Sequence, residues 1–306
     1  MRHEANGIIV IDKPPGMSSA KVVAQVKRII GARKLGHTGT LDPMATGLLI
    51  CCVNDATRLA RFFLTGSKTY QAVLSLGSDT DTQDSTGTVL ATSDVSGVLP
   101  EAIASACKRF TGAIEQQPPI YSALKHKGVP LYKLARRGQP VEKPPRPVFI
   151  SDITVSEIDL PHVRFTVTCS AGTYIRTLCA DIGAVLGCGG HLSELRRVES
   201  CGFSLKDSVT PHQLEEAYAS GASGALEDRI ISMTDALEDM PSYTADDGLI
   251  DKVRHGVRLA KKEISGRIDD SPEGFFKIVN KQNQLIAVLS RHESGDPYRY
   301  CCVFQN

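Results

Sequence analysis

The sequence predicts an α+β fold: a mixed, largely antiparallel sheet in a domain spanning residues 1–248, then a small β-rich domain over 249–306. Three observations lead there. Segments with helical spacing of apolar residues and segments with strand-like alternation follow one another irregularly, unlike the regular repeat of a βαβ protein. Residues 148–158 and 162–170 alternate like a pair of antiparallel strands. Beyond about residue 249 the chain breaks into short strands, 275–280, 284–289 and 299–304, separated by turns. A length of 306 residues suits one large domain or two modest ones, and 42% hydrophobic with 23% charged residues is an ordinary globular composition.

Taken in order, residues 7–12 form a short apolar strand that the turn Pro14-Pro15-Gly16 ends. Ser18 or Ser19 caps a helix with apolar positions Val22, Val26, Ile29 and Ile30, which stops near Gly31. A glycine-rich loop, 36–43, leads into a buried strand, 47–53. A strand at 69–76, a polar loop at 79–87 and a helix at 101–110 follow. Residues 116–147 hold seven prolines, which interrupt regular structure. That stretch reads as an insertion lying over the surface, outside the core. After the strand pair come helices at 174–186, 191–197, 211–219 and 226–237.

Composition excludes several classes. The longest run of purely aliphatic or cysteine residues, 48–53, is six residues long, against the roughly 20 of a membrane span. The N-terminal apolar run, 8–11, has four residues, short of the about 7–15 of a secretory signal, so a cytoplasmic protein is expected. Nine cysteines, an odd number without CxxC spacing, read as reduced buried thiols and imply no metal. The net charge is only +1, but it is unevenly spread. Residues 121–147 carry seven bases against Glu142 alone, a net of +6, whereas 227–251 carry a net of −7. The first run suits phosphates and the second repels them; either can equally be a solvated face.

The stretch GHTGTLDPMATG, 36–47, concentrates the features of a site. It contains no P-loop pattern. Its three glycines permit close approach of a ligand to the backbone, and His37 lies five residues before Asp42. An isolated Asp-Pro pair reads as a helix cap or a turn. Here the apolar strand that follows would hold one carboxylate on a rigid base at a cleft.

Extended to GHTGTLDPMATGLL, the segment closely resembles the catalytic motif of the TruB family of tRNA pseudouridine synthases. Further matches follow in order: DKPPGMSS (12–19), SKTYQAVLSLG (67–77), TDTQDSTG (80–87), QPPIYSALKHKGVPLYKLARRG (117–138), GTYIRTL (172–178) and HLSELRRVESCGF (191–203). Together they cover most of residues 7–205. The tail resembles, more weakly, the PUA-like RNA-binding module that ends bacterial members. The resemblance implies isomerisation of a uridine in the T loop of tRNA, position 55. The N1–C1′ bond breaks, the base turns, and C5 bonds to C1′. No redox change occurs, so no cofactor is implied. Positive charge develops on the sugar as the bond breaks. A carboxylate can stabilise that charge, attack as a nucleophile or abstract a proton. The match gives this part to Asp42 and leaves the three roles open.

By the same resemblance, Arg176 pairs with the catalytic aspartate, Tyr174 lies near the uracil and assists proton loss from C5, and Tyr70 stacks on the target base. His37 takes space left by rearranged loop bases, Asp84 is a polar residue close to the site, and Leu195 is an apolar pocket wall. Without the match, Arg176 reads as a surface helical arginine, Tyr70 and Leu195 as packing, Tyr174 as a half-buried aromatic, His37 as structural, and Asp84 as a turn or cap. Lys125, Lys127, Lys133, Arg136 and Arg137 of the insertion can contact tRNA phosphates. Lys13 and Arg58 are lesser candidates, with solvated surface charge as the alternative.

Two other functions compete. One is the catalytic subunit of a guide-RNA pseudouridylation particle, which shares the aspartate motif but carries terminal extensions and a fuller PUA domain. The other is a non-catalytic RNA-binding or RNA-folding protein. The short flanks favour a stand-alone enzyme without guide RNA, the near-zero net charge and the absence of a heptad favour a monomer, and the set Asp42, Tyr70, Tyr174 and Arg176 favours chemistry.

Overall fold

A computed structural model describes residues 5–220, 229–264, 274–291 and 298–305. The expected α+β class holds, with a sheet of eleven strands among the described residues. Gly7–Lys13 pairs antiparallel with Thr46–Val53, which runs parallel to Gly190–Ser200. Lys68–Leu76, His162–Cys169, Arg146–Asp159 and Gly112–Gln116 continue the sheet, each antiparallel to its neighbour. Among the described residues, no helix is long and apolar enough to cross a membrane.

The strand Gly7–Lys13 is apolar on both faces because both are covered. Ile9 and Ile11 pack under the helix Ser19–Ile29 through its Val22, Val26 and Ile29, while Ile8 and Val10 face Leu59, Phe63 and Phe304. Ser18 is the cap, its side chain accepting from the Lys21 amide. A second helix, Ile175–Leu186, lays Ile175, Leu178, Cys179 and Ile182 on Leu74, Phe165 and Leu192 of the sheet. That spacing is the helical i, i+3, i+4, i+7 stripe. Gly187, at φ +78°, ends the helix in the left-handed conformation glycine tolerates best.

Several expected elements need correction. Residues 191–197 are not a helix but part of the central strand Gly190–Ser200. The strand is bulged between Leu192 and Glu194 and again between Arg197 and Glu199. Each extra residue turns a spacing of two into three. Leu192, Leu195, Arg197 and Ser200 therefore all point inward, and the first two mimic a helical pair. Residues 226–228 of the helix expected at 226–237 lie outside the described residues. The remainder is a turn, a short strand Ile231–Ser232 on the edge of Gly7–Lys13, and a 3-10 turn Asp235–Leu237. The glycine-rich loop is shorter than expected, since Leu35–Thr38 pairs with Thr46–Val53. The polar loop 79–87 is partly a hairpin of Ser78–Thr80 with Val89–Thr92.

The basic insertion is not purely a surface layer. It folds into a small hairpin, Lys125–His126 with Val129–Pro130, and a helix, Leu131–Ala135. Leu131 and Ser122 are buried under it. The small sheet of the C-terminal part includes Ser242–Thr244, ahead of the expected start at 249, together with Gly274–Val279, Leu285–Arg291 and Arg299–Val303. Ile278, Ile286 and Leu289 pack on the helix Asp247–Arg254. Leu285, Val288, Cys302 and Phe304 join Ile8, Leu48, Leu59 and Phe63 in one apolar cluster.

Candidate active site

Asp42 stands on the short loop between Leu35–Thr38 and Thr46–Val53, and the DKPPGMSS segment holds that loop from below. Buried Ser19 accepts from the Leu41 amide at 2.9 Å and donates to the Leu41 carbonyl at 3.0 Å. The Gly16 amide donates to the Pro43 carbonyl at 2.8 Å. Lys13 donates to the carbonyls of Pro14, Met17 and Pro43 at 2.8, 2.7 and 3.2 Å. Asp12 forms a two-pronged ion pair with Arg196 of the central strand. Gly39 and Gly47 both adopt positive φ, +85° and +98°. A Cβ at Gly47 would lie 2.2 Å from the Arg197 carbonyl oxygen, so only glycine fits against the strand there.

Arg176, in the first turn of the helix Ile175–Leu186, meets Asp42 with Nε 2.9 Å from Oδ2. Its Nη1 donates to the Thr82 carbonyl at 2.9 Å and lies 3.7 Å from Asp84 Oδ2; its Nη2 donates to the Tyr121 carbonyl at 2.8 Å. A guanidinium gripped on three sides presents a fixed edge to the carboxylate. Asp84 is fixed too, one oxygen accepting from Thr82 Oγ1, the Thr86 amide and Thr86 Oγ1. Burial pushes the Asp42 carboxyl above the ordinary carboxylate range, Arg176 pulls it back, and the Asp84 charge pushes it up further.

Asp42, Tyr70, Tyr174, Arg176 and Leu195 line one cavity of about 350 Å³ together with Lys68, Arg146 and Arg197. That size suits a small-ligand pocket. Asp42 and Arg176 also line a second cavity of about 590 Å³, with His37, Asp84, Tyr121, Tyr132 and Arg136. Burial lowers the His37 pKa, and the Arg197 charge lowers it further, both favouring the neutral ring. Burial raises the Tyr70 hydroxyl, with Arg197 opposing.

Not every expected residue comes to this place. Lys13 is fully buried beneath the loop, where its ammonium donates to three backbone carbonyls, and it lines neither cavity. Arg58 lies over the Phe304 ring, 5.0 Å from its centroid, and donates to the Val303 carbonyl, which makes it a clamp on the C-terminal strand. Lys125, Lys127, Lys133 and Arg137 are exposed on the insertion and line neither cavity, whereas Arg136 reaches the second.

Sequence reasoning missed Arg197. It is buried, with Nε donating to the Leu48 carbonyl at 2.7 Å and Nη2 to the Gly39 carbonyl at 3.1 Å. Reading 191–197 as a helix hid the inward direction of this side chain. Lys68 and Arg146 were missed for want of any signal beyond charge.

Asp42, fixed by the buried Arg176, thus stands at the wall of a small pocket with two tyrosines, Tyr70 and Tyr174. The TruB family pseudouridylate synthase N-terminal domain matches residues 27–175, and the tRNA pseudouridylate synthase B C-terminal domain matches 176–238. Two relatives are each named tRNA pseudouridine synthase B. That of Syntrophotalea carbinolica is 43% identical over 267 residues, 86% of this chain and 85% of the relative. That of Burkholderia mallei is 40% identical over 292 residues, 95% of both chains. Among solved structures, a chain of a Cbf5–Nop10–Gar1 complex superposes with TM-score 0.75 at 30% identity, over 98% of this chain and 84% of the other. A chain of an H/ACA RNP bound to a substrate RNA containing 2′-deoxyuridine gives 0.76 at 29% identity, over 98% and 85%. The chain therefore belongs to the TruB family of pseudouridine synthases.

Proposed function

We propose that the protein converts the uridine at position 55 in the T loop of tRNA to pseudouridine, acting as a single chain without guide RNA or cofactor, with Asp42 as the essential carboxylate. The observation that carries this reading is the Asp42–Arg176 pair, 2.9 Å apart, opening into a cavity walled by Tyr70, Tyr174 and Leu195. The target nucleotide must leave the stack of the loop to present C1′ to Asp42, a cost of a few kcal/mol that pocket contacts offset. Stacking of the base on Tyr70 supplies about 1–3 kcal/mol of that. Asp42 meets the charge that develops at C1′ as N1 departs. The uracil turns against the apolar wall of Leu195, C5 bonds to C1′, the C5 proton is lost with the assistance of Tyr174, and N1, freed from C1′, takes up a proton, so that the net change is an isomerisation. Exposed Lys125, Lys127, Lys133, Arg136 and Arg137 hold the phosphates of the stem-loop, and the small C-terminal sheet serves as a PUA-like contact to the same RNA. The relatives named tRNA pseudouridine synthase B, at 40–43% identity, favour tRNA over a guided target.

Asp42→Asn tests the reading. Pseudouridine formation is expected to vanish while tRNA binding stays within about tenfold, or about 1.4 kcal/mol. Turnover at the wild-type rate would remove Asp42 from the chemistry.

A further inference from the structure

The proline-rich insertion leaves the sheet after Gln116 and returns to it at Arg146, and these two residues are direct cross-strand partners. Both side chains reach across to the turn that precedes the helix Ile175–Leu186. Gln116, buried and lining neither cavity, grips the backbone of Tyr174 on both sides. Its Oε1 accepts from the Tyr174 amide at 2.7 Å, and its Nε2 donates to the Tyr174 carbonyl at 3.0 Å. Arg146 lies over the Tyr174 ring, 5.1 Å from the centroid, and its Nη2 donates to the Gly172 carbonyl. Gly172 has φ +91°, and a Cβ there would crowd the same Arg146 nitrogen at 3.2 Å. Inside the insertion, the Tyr121 carbonyl accepts from Arg176.

Tyr174 is the N-cap residue of its helix but has no side-chain cap of its own. Its backbone conformation is therefore set by an amide from another strand. Two residues on, Arg176 holds Asp42. The foot of the insertion and the catalytic turn are thus joined by contacts at Tyr174, Gly172 and Arg176.

We propose that Gln116 is a positioning residue for the isomerisation. With Arg146 across the strand, it sets the angle at which Tyr174 enters the pocket and the helix start that carries Arg176. Through it, RNA held on the basic insertion bears directly on the catalytic geometry. The inference rests on the functional reading above, in which Tyr174 and Arg176 serve the chemical step.

The test uses Gln116→Met, which has similar length without hydrogen bonds, and Gln116→Glu. The latter keeps an acceptor for the Tyr174 amide but sets a second oxygen against its carbonyl. Single-turnover rate at saturating enzyme, tRNA affinity and thermal midpoint are measured for the full chain. Both variants are expected to slow the chemical step by about tenfold or more while tRNA affinity stays within about threefold. Combined with Tyr174→Phe, the loss is expected to be less than additive, because part of the Gln116 effect passes through the Tyr174 side chain. Gln116→Glu, the same size as the native residue, decides the matter where the methionine variant fails to fold. Wild-type single-turnover rates, a loss confined to tRNA affinity, or strict additivity with Tyr174→Phe would each overturn the inference. Wild-type protein that forms no T-loop pseudouridine would instead contradict the functional reading itself.

Discussion

Asp42 is held between opposing influences. Its side chain keeps 34% of its surface open toward the cleft, beside an arginine with only 4% exposed. Burial and Asp84 favour the neutral acid, and Arg176 favours the carboxylate. The raised pKa has a definite sign in activity. In the proposed reaction the working form of Asp42 is ionised, so the rate is expected to be complete well above that pKa and lost as pH falls through it. Because the pKa lies above the ordinary 3.8, the loss starts at higher pH than for a free aspartate. A single-turnover pH profile should show a plateau at neutral pH and a one-proton decline on the acid side. A rate that stays flat down to about pH 4 would contradict the account. At this scale, much of the site was legible. Asp42, His37, Tyr70, Asp84, Tyr174, Arg176 and Leu195 were all named from motif matches, and all line the two cavities. The burial of Lys13 was not legible, because nothing local reveals three carbonyls converging on it from two segments.

Elements with one dominant period were legible and those with mixed periods were not. The helix Ser19–Ile29 and the strand pair Arg146–Asp159 and His162–Cys169 follow from spacing alone. Gly190–Ser200 does not, because its two bulges overwrite the period-two pattern and make Leu192 and Leu195 look helical. Arg197 was lost with it. Gln116 carried no signal at all, since its role depends on a strand pairing with the distant Arg146 and on a turn still farther along the chain. The insertion was recognised by charge and proline content, but its buried underside, Leu131 and Ser122, was not. Its exposed bases make a prediction of their own. Changing Lys125, Lys127, Arg136 and Arg137 to glutamine is expected to weaken tRNA binding and flatten its salt dependence, by a slope of about one for each phosphate no longer neutralised. The chemical step at saturating enzyme should change much less. An unaltered salt slope would take the insertion off the RNA.

Across the whole molecule, the C-terminal strands are packed into the body. Phe304 is fully buried, sits under Arg58, and shares a cluster with Ile8, Leu48 and Phe63. Buried Lys277 donates to the carbonyls of Thr234 and Leu237, tying the small sheet to the segment before it. Phe304→Ala should therefore cost about 3–5 kcal/mol in one cooperative unfolding transition. A separate early transition, with the main transition unmoved, would show that the tail folds independently. The same packing fixes the small sheet against the strands Gly7–Lys13 and Thr46–Val53, the second of which follows the loop that carries Asp42. In the proposed function this chain alone supplies the isomerisation. The most direct test incubates the purified protein with an unmodified tRNA transcript, without guide RNA or cofactor, and maps pseudouridine by chemical labelling and sequencing. Pseudouridine is expected at the single T-loop uridine 55, absent with Asp42→Asn. An unmodified transcript despite tight binding, or pseudouridine at other positions only, would contradict the proposed function.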